Sequence, residues 1–163
     1  MEAPTALILG LGNDLVSDDG FGPAVARACR ELLGGREDVT VEEASRAGLD
    51  ILPLLSAHRR ALIVDVVRTE RRPAGTVLEW PLAQAGEARC LGGSHQVDLP
   101  SALVLGRLLG WPLPESVKLL VAEAEDLATL HEGLTPAVAE AVKEAAAIAV
   151  RWVEDGTLEE VAP

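Results

Sequence analysis

Aromatic residues are scarce in this chain, whose 163 residues include three Trp, one Phe and no Tyr. Its interior must therefore be filled by Leu, Val, Ile and Ala, and the 48% hydrophobic content supplies enough of them. Cysteine is scarce too. Cys29 and Cys90 are the only two, and neither belongs to a Cys-x-x-Cys pair, which excludes a zinc knuckle and a disulfide framework. Positive charge is short: 14 Lys and Arg stand against 26 Asp and Glu, a formal net charge of −12. Nucleic acid and anionic membrane surfaces both require a basic footprint and are poor partners for such a chain. No basic segment precedes an apolar one at the N-terminus, and no apolar run approaches the roughly 18 residues of a membrane span. What is left is a cytoplasmic enzyme or binding module. Its length suits a single domain over residues 1–163, with a core from about residue 6 to 153 and a tail from Glu154 that frays.

What is present begins with the stretch Ala6 to Gly22, ALILGLGNDLVSDDGFG. Ala6-Leu7-Ile8-Leu9 reads as a buried strand. Gly10 and Gly12 then allow a tight turn or a close backbone approach, and Asn13, Asp14, Ser17, Asp18 and Asp19 form an acidic loop. A helix is expected from about Asp18 to Leu33, with Phe21, Val25, Ala28, Cys29 and Leu32 on its apolar stripe and Gly34-Gly35 as its stop. Cys29 on that stripe reads as a buried structural thiol. Val39 to Val41 is a second strand, and Asp50 to Ala57 a helix. Ala61 to Val64 is a third strand ending on Asp65, where a carboxylate is expensive to bury without a partner. Thr76 to Trp80 reads as an edge strand because Pro81 follows, and Pro100 fits the start of a helix from Leu99. Val117 to Glu123 is the last strand. Thr135 is the expected N-cap, and Pro136 the first residue, of a final helix running to about Trp152. Alternating strands and helices predict an α/β fold: an open, mainly parallel sheet with helices on both faces.

In such a sheet the strand ends and the loops after them share one edge, so distant residues converge there. Asp18 or Asp19 after the first strand, Asp65 at the third and His95 before a later helix meet this condition. Two carboxylates and an imidazole suit a borderline divalent ion such as nickel or zinc. Each has a plainer role available: a helix cap for Asp18 or Asp19, a turn acceptor for Asp65, a loop residue for His95. Cys90, five residues before His95, reads as an incidental residue or an auxiliary soft ligand. A nucleotide fingerprint is excluded because Leu15 stands where the third glycine belongs, and two aspartates would repel a pyrophosphate. No Gly-x-Ser-x-Gly elbow is present.

GLGNDLVSDDGFG at Gly10 to Gly22 resembles the N-terminal motif of the hydrogenase maturation endopeptidases. The resemblance continues with LIVDVV at Leu62 to Val67, SHQVDL at Ser94 to Leu99 and EGLTPAV at Glu132 to Val138. It spans about Ala6 to Trp152. It implies a three-layer α/β/α sandwich around a twisted, mostly parallel sheet of about five strands, and a peptidase that trims the C-terminal extension from a nickel–iron hydrogenase large-subunit precursor. By motif position it implies that Asp19, Asp65 and His95 bind the metal that serves catalysis. Gly10, Gly12, Asn13, Asp18 and Gly48 would support the loops around it. The ion would be the nickel already installed in the precursor, with zinc or cadmium able to take its place in vitro. Two stretches depart from the family pattern, Glu43 to Gly48 and Val121 to Glu125. The alternative reading is a non-catalytic metal- or partner-binding module on the same fold.

Overall fold

The computed structural model describes residues 5–45, 48–91 and 97–156. Five strands form one sheet: β1 (Ala6–Leu11), β2 (Val39–Ala44), β3 (Arg60–Val67), β4 (Val77–Trp80) and β5 (Ser116–Glu123). Their order is β2-β1-β3-β5-β4. All neighbours are parallel except β4, which runs antiparallel along β5 at the edge. The expected edge strand before Pro81 is therefore observed, one residue shorter. Strand β3 is longer than its apolar run suggests. It passes through Asp65 to Val67, because Val66 and Val67 continue the ladder opposite Ala122 and Glu123.

Alternation along the strands sorts their side chains into two cores. Ile8, Leu62, Val64, Val66 and Leu120 face helices α1 (Phe21–Leu32) and α4 (Pro136–Asp155). Leu7, Leu9, Ile63, Leu119 and Val121 face α2 (Leu52–Leu55) and α3 (Leu99–Leu108). The three-layer sandwich follows, with its cores built mainly of aliphatic residues. Phe21, Trp80 and Trp152 are the buried aromatics, and the Arg60 guanidinium stacks 4.7 Å from the Trp152 ring centroid. Arg60 also donates to the carbonyls of Trp152 and Val153 at 2.7 and 2.5 Å, satisfying the last turn of α4. Cys29 lies in the α1/α4 core, and burial pushes its thiol up to about 12.

Helix α1 lies directly against the sheet. A Cβ on Gly10 would collide with the Gly22 carbonyl, and one on Gly22 with the backbone of Leu11 and Val64. Gly12, at φ 151°, passes as closely under the Asp19 carbonyl. Helix α1 begins at Phe21, later than its period suggests, because Ser17–Gly20 winds as a 3₁₀ turn that carries Asp18 and Asp19 over the strand ends. No helix among the described residues is long and apolar enough to cross a membrane.

Candidate metal centre

Strand order reverses beside β1: the chain leaves it for β2 on one side and later returns to β3 on the other. A crevice opens at such a switch point, at the carboxyl ends of the strands. The loop after β1 and the end of β3 both reach it. Asp19 is 5% exposed and Asp65 1%.

Asp65 sits on a central strand and is held by neighbouring backbone. Its Oδ1 accepts from the Val66 N–H at 2.8 Å and its Oδ2 from the Cys90 N–H at 2.8 Å. The second bond exists because residues 88–91 run along the end of β3: Ala88 bridges to Val67, and the Arg89 N–H donates to the Val66 carbonyl at 2.8 Å. Asp19 is placed by its own loop. The Asn13 N–H donates to both the Asp19 carbonyl and its Oδ2 at 3.2 Å, while Asn13 Oδ1 accepts from the Leu15 N–H at 3.0 Å. The Cys90 thiol points into the same space and donates to Asp19 Oδ1 at 3.8 Å. Asp19, Asp65 and Cys90 each present one ligand atom within 4.8 Å of the others.

The electrostatics of this cluster are unfavourable as it stands. Burial pushes Asp65 up to about 7, adjacent N–H groups partly offset this, and the Asp19 charge raises it further. Burial raises Asp19 as well, against the opposing field of Arg89. Burial and both carboxylates push the Cys90 thiol up. Neither carboxylate has an ion-pair partner among the described residues. Two anionic groups and a thiol, packed together and short of positive charge, are a fitting donor set for a borderline divalent cation.

Asp18 has a different setting. It is fully buried and does not cap α1, whose N-cap is Gly20 without a side-chain bond. Its Oδ2 accepts from the N–H groups of Glu125 and Asp126 at 2.9 Å, and its Oδ1 from that of Thr135 at 2.8 Å. The Thr135 hydroxyl, expected to cap α4, donates to this carboxylate at 2.9 Å instead, and α4 starts with no side-chain cap. The loops are joined again nearby, where Ser17 N–H donates to the His131 carbonyl and His131 N–H to that of Leu15. Leu15 and Leu130 stand exposed on either side of this seam, and the His131 side chain is exposed as well.

His95, the imidazole expected at the centre, lies outside the described residues. So do Arg46 and Ala47 of the first departing stretch. Gly48, the supporting glycine beyond them, is buried at φ 60°. Glu123, in the second departing stretch, is 1% exposed. Its carboxylate accepts from Thr69 N–H and hydroxyl and from Glu70 N–H, tying the loop after β3 to the end of β5. Asp18 has the supporting place the sequence suggested for it, although not by capping α1, and Cys90, which the sequence left as an incidental residue or an auxiliary soft ligand, has its thiol inside the cluster. The one available signal for Cys90 was its short separation from His95.

Residues 23–152 match the model of the hydrogenase maturation protease family. Among proteins of similar sequence, the hydrogenase expression/formation protein HupD of Rhizobium leguminosarum bv. viciae is 27% identical over 91% of this chain and 74% of its own length. The hydrogenase 2 maturation protease of Escherichia coli K12 is 26% identical over 81% of this chain and 80% of its own. Among solved structures, the hydrogenase maturating endopeptidase HybD from E. coli superposes with a TM-score of 0.73 at 22% identity, covering 95% of each chain. The hydrogenase maturation protease HycI from Thermococcus kodakarensis gives 0.69 at 18% identity, covering 93% of this chain and 94% of its own.

Proposed function

This chain belongs to the hydrogenase maturation protease family, and on that premise we propose that it is an endopeptidase removing the C-terminal extension of a nickel–iron hydrogenase large-subunit precursor. Nickel already inserted in the precursor marks the substrate as ready, and Asp19, Asp65 and His95 receive it. The observation that carries this reading is the meeting of the buried Asp19 and Asp65 carboxylates within a 4.8 Å cluster at the sheet edge. When bound there, a divalent ion supplies Lewis-acid polarisation of the scissile carbonyl or activation of a water.

The chain's own residues prepare that chemistry. The Val66 and Cys90 N–H groups hold the Asp65 carboxylate in one orientation, and the Asn13 N–H does the same for Asp19. Asp18 holds the Asp19 loop by its bonds to residues 125, 126 and 135. An extended peptide has room in an open groove of about 420 Å³ lined by Asn13, Leu15, Glu43 and Ser45, among others. Exposed Leu15 and Leu130 beside the seam offer it apolar contact.

The test is to mix the purified protein with nickel-loaded precursor and follow loss of the tail mass. Asp19→Asn, Asp65→Asn and His95→Ala are each expected to stay folded and to leave the precursor untrimmed. Normal trimming by all three sinks the metal mechanism. A precursor bound but never shortened by the unaltered protein favours the binding-module reading.

A further inference from the structure

Cys90 touches both carboxylates of the cluster. Its N–H donates to Asp65 Oδ2 at 2.8 Å and its thiol to Asp19 Oδ1 at 3.8 Å. Ligands sharing one ion at bond lengths of ~2.0–2.3 Å lie roughly 3–4 Å apart. The spread of 4.8 Å among Sγ and the two carboxylates is therefore close to that of a ligand set, and small side-chain adjustments close the difference. The thiol is not free to swing elsewhere at little cost, because the backbone bonds of residues 88–90 to Val66, Val67 and Asp65 fix its origin.

We propose that Cys90 supplies a sulfur ligand to the divalent ion held between Asp19 and Asp65, making this a mixed sulfur–oxygen site. The proposal rests on the metal reading above and says which ions the protease itself grips. On binding, the Cys90 S–H bond breaks, a sulfur–metal bond forms and the proton passes to solvent. A thiolate shifts preference from magnesium or calcium towards nickel, cobalt, zinc and cadmium. Such an ion, added in vitro without precursor, then fills the site that receives the precursor's nickel.

The experiment is a titration of the full chain with cobalt(II) alone, read by near-ultraviolet absorption and calorimetry. A sulfur-to-cobalt charge-transfer band is expected at one equivalent in the unaltered protein. Cys90→Ser and Cys90→Ala should lose the band and bind cobalt at least about tenfold more weakly, while their thermal unfolding reports that the fold is kept. His95→Ala should retain the band. A cobalt-saturated protein without the band, no cobalt binding at all, or equal affinity in Cys90→Ser overturns the proposal. Precursor trimming is scored in parallel. Unchanged trimming and cobalt affinity in Cys90→Ser overturn sulfur ligation and spare the protease reading. A persistent sulfur band in a protein that trims nothing has the opposite meaning.

Discussion

The carboxylate of Asp18 accepts hydrogen bonds from three backbone N–H groups and the Thr135 hydroxyl, whereas that of its neighbour Asp19 faces a second carboxylate and a thiol. Both are buried, one residue apart on the same 3₁₀ turn. Asp18 also lies against the N-terminus of α4, where the helix dipole favours an anion. Asp19 and Asp65 also accept backbone N–H bonds, from Asn13, Val66 and Cys90, but burial and their mutual repulsion outweigh these. The two settings separate a carboxylate that holds the fold from carboxylates the fold holds at a cost, and the second kind is what a cation-binding site requires.

The sharpest way to probe this contrast is one substitution made at both kinds of site. Asp65→Asn should lower trimming of a nickel-loaded precursor by about three orders of magnitude or more, measured by mass spectrometry. It should nevertheless leave the metal-free protein at least as stable as the original at pH 8, as read by urea unfolding. Asp18→Asn should instead cost about 3 kcal/mol of unfolding free energy, because an amide group then faces donors that had an anionic acceptor. If the two variants lose stability equally, the contrast fails.

The pH dependence follows from the same contrast. Asp65 is raised to about 7 in the folded chain, so its unfolded form loses the proton first as pH rises. The stability it contributes is fully present below the unfolded value of 3.8 and is lost as pH rises through about 7. Between pH 5 and 7 this amounts to roughly 2 kcal/mol, at up to ~1.4 kcal/mol per pH unit. Urea titrations of the metal-free protein should show the decline, and Asp65→Asn should flatten that part of it. The smallest effect is expected at Thr135. Thr135→Val keeps the N–H bond to Asp18 and loses the hydroxyl ones, for about 1 kcal/mol. Thermal unfolding should move by a few degrees at most, with trimming retained.

Much of the fold was legible because β1, β3 and β5 are nearly unbroken apolar runs and the glycines between β1 and α1 announce close packing. Boundaries slipped where non-local pairing decides them. Nothing near Asp65 in sequence says that Val66 and Val67 extend the ladder on β5, and nothing near Thr135 says that its hydroxyl turns to a carboxylate far upstream. Asp19 and Asp65 could be brought together on paper because strand ends share an edge. Cys90 could be named only as an incidental residue or an auxiliary soft ligand, since its place depends on how residues 88–91 lie along β3. Glu123, which departs from the family pattern, owes its burial to Thr69 and Glu70, again a contact without a local signal.

The tie from Asp18 to Thr135 spans 117 residues. Closing a loop of that length is entropically costly and slow to be rewarded, so contacts of this kind form late in folding. Until the final strand and helix have docked, the Asp18 carboxylate has neither Glu125, Asp126 nor Thr135 to accept from, and the loop bearing Asp19 has no anchor. The centre therefore comes into being only once residues 125–135 have docked against the acidic loop. A chain in which those residues are undocked has the acidic loop but not the clamp that places Asp19.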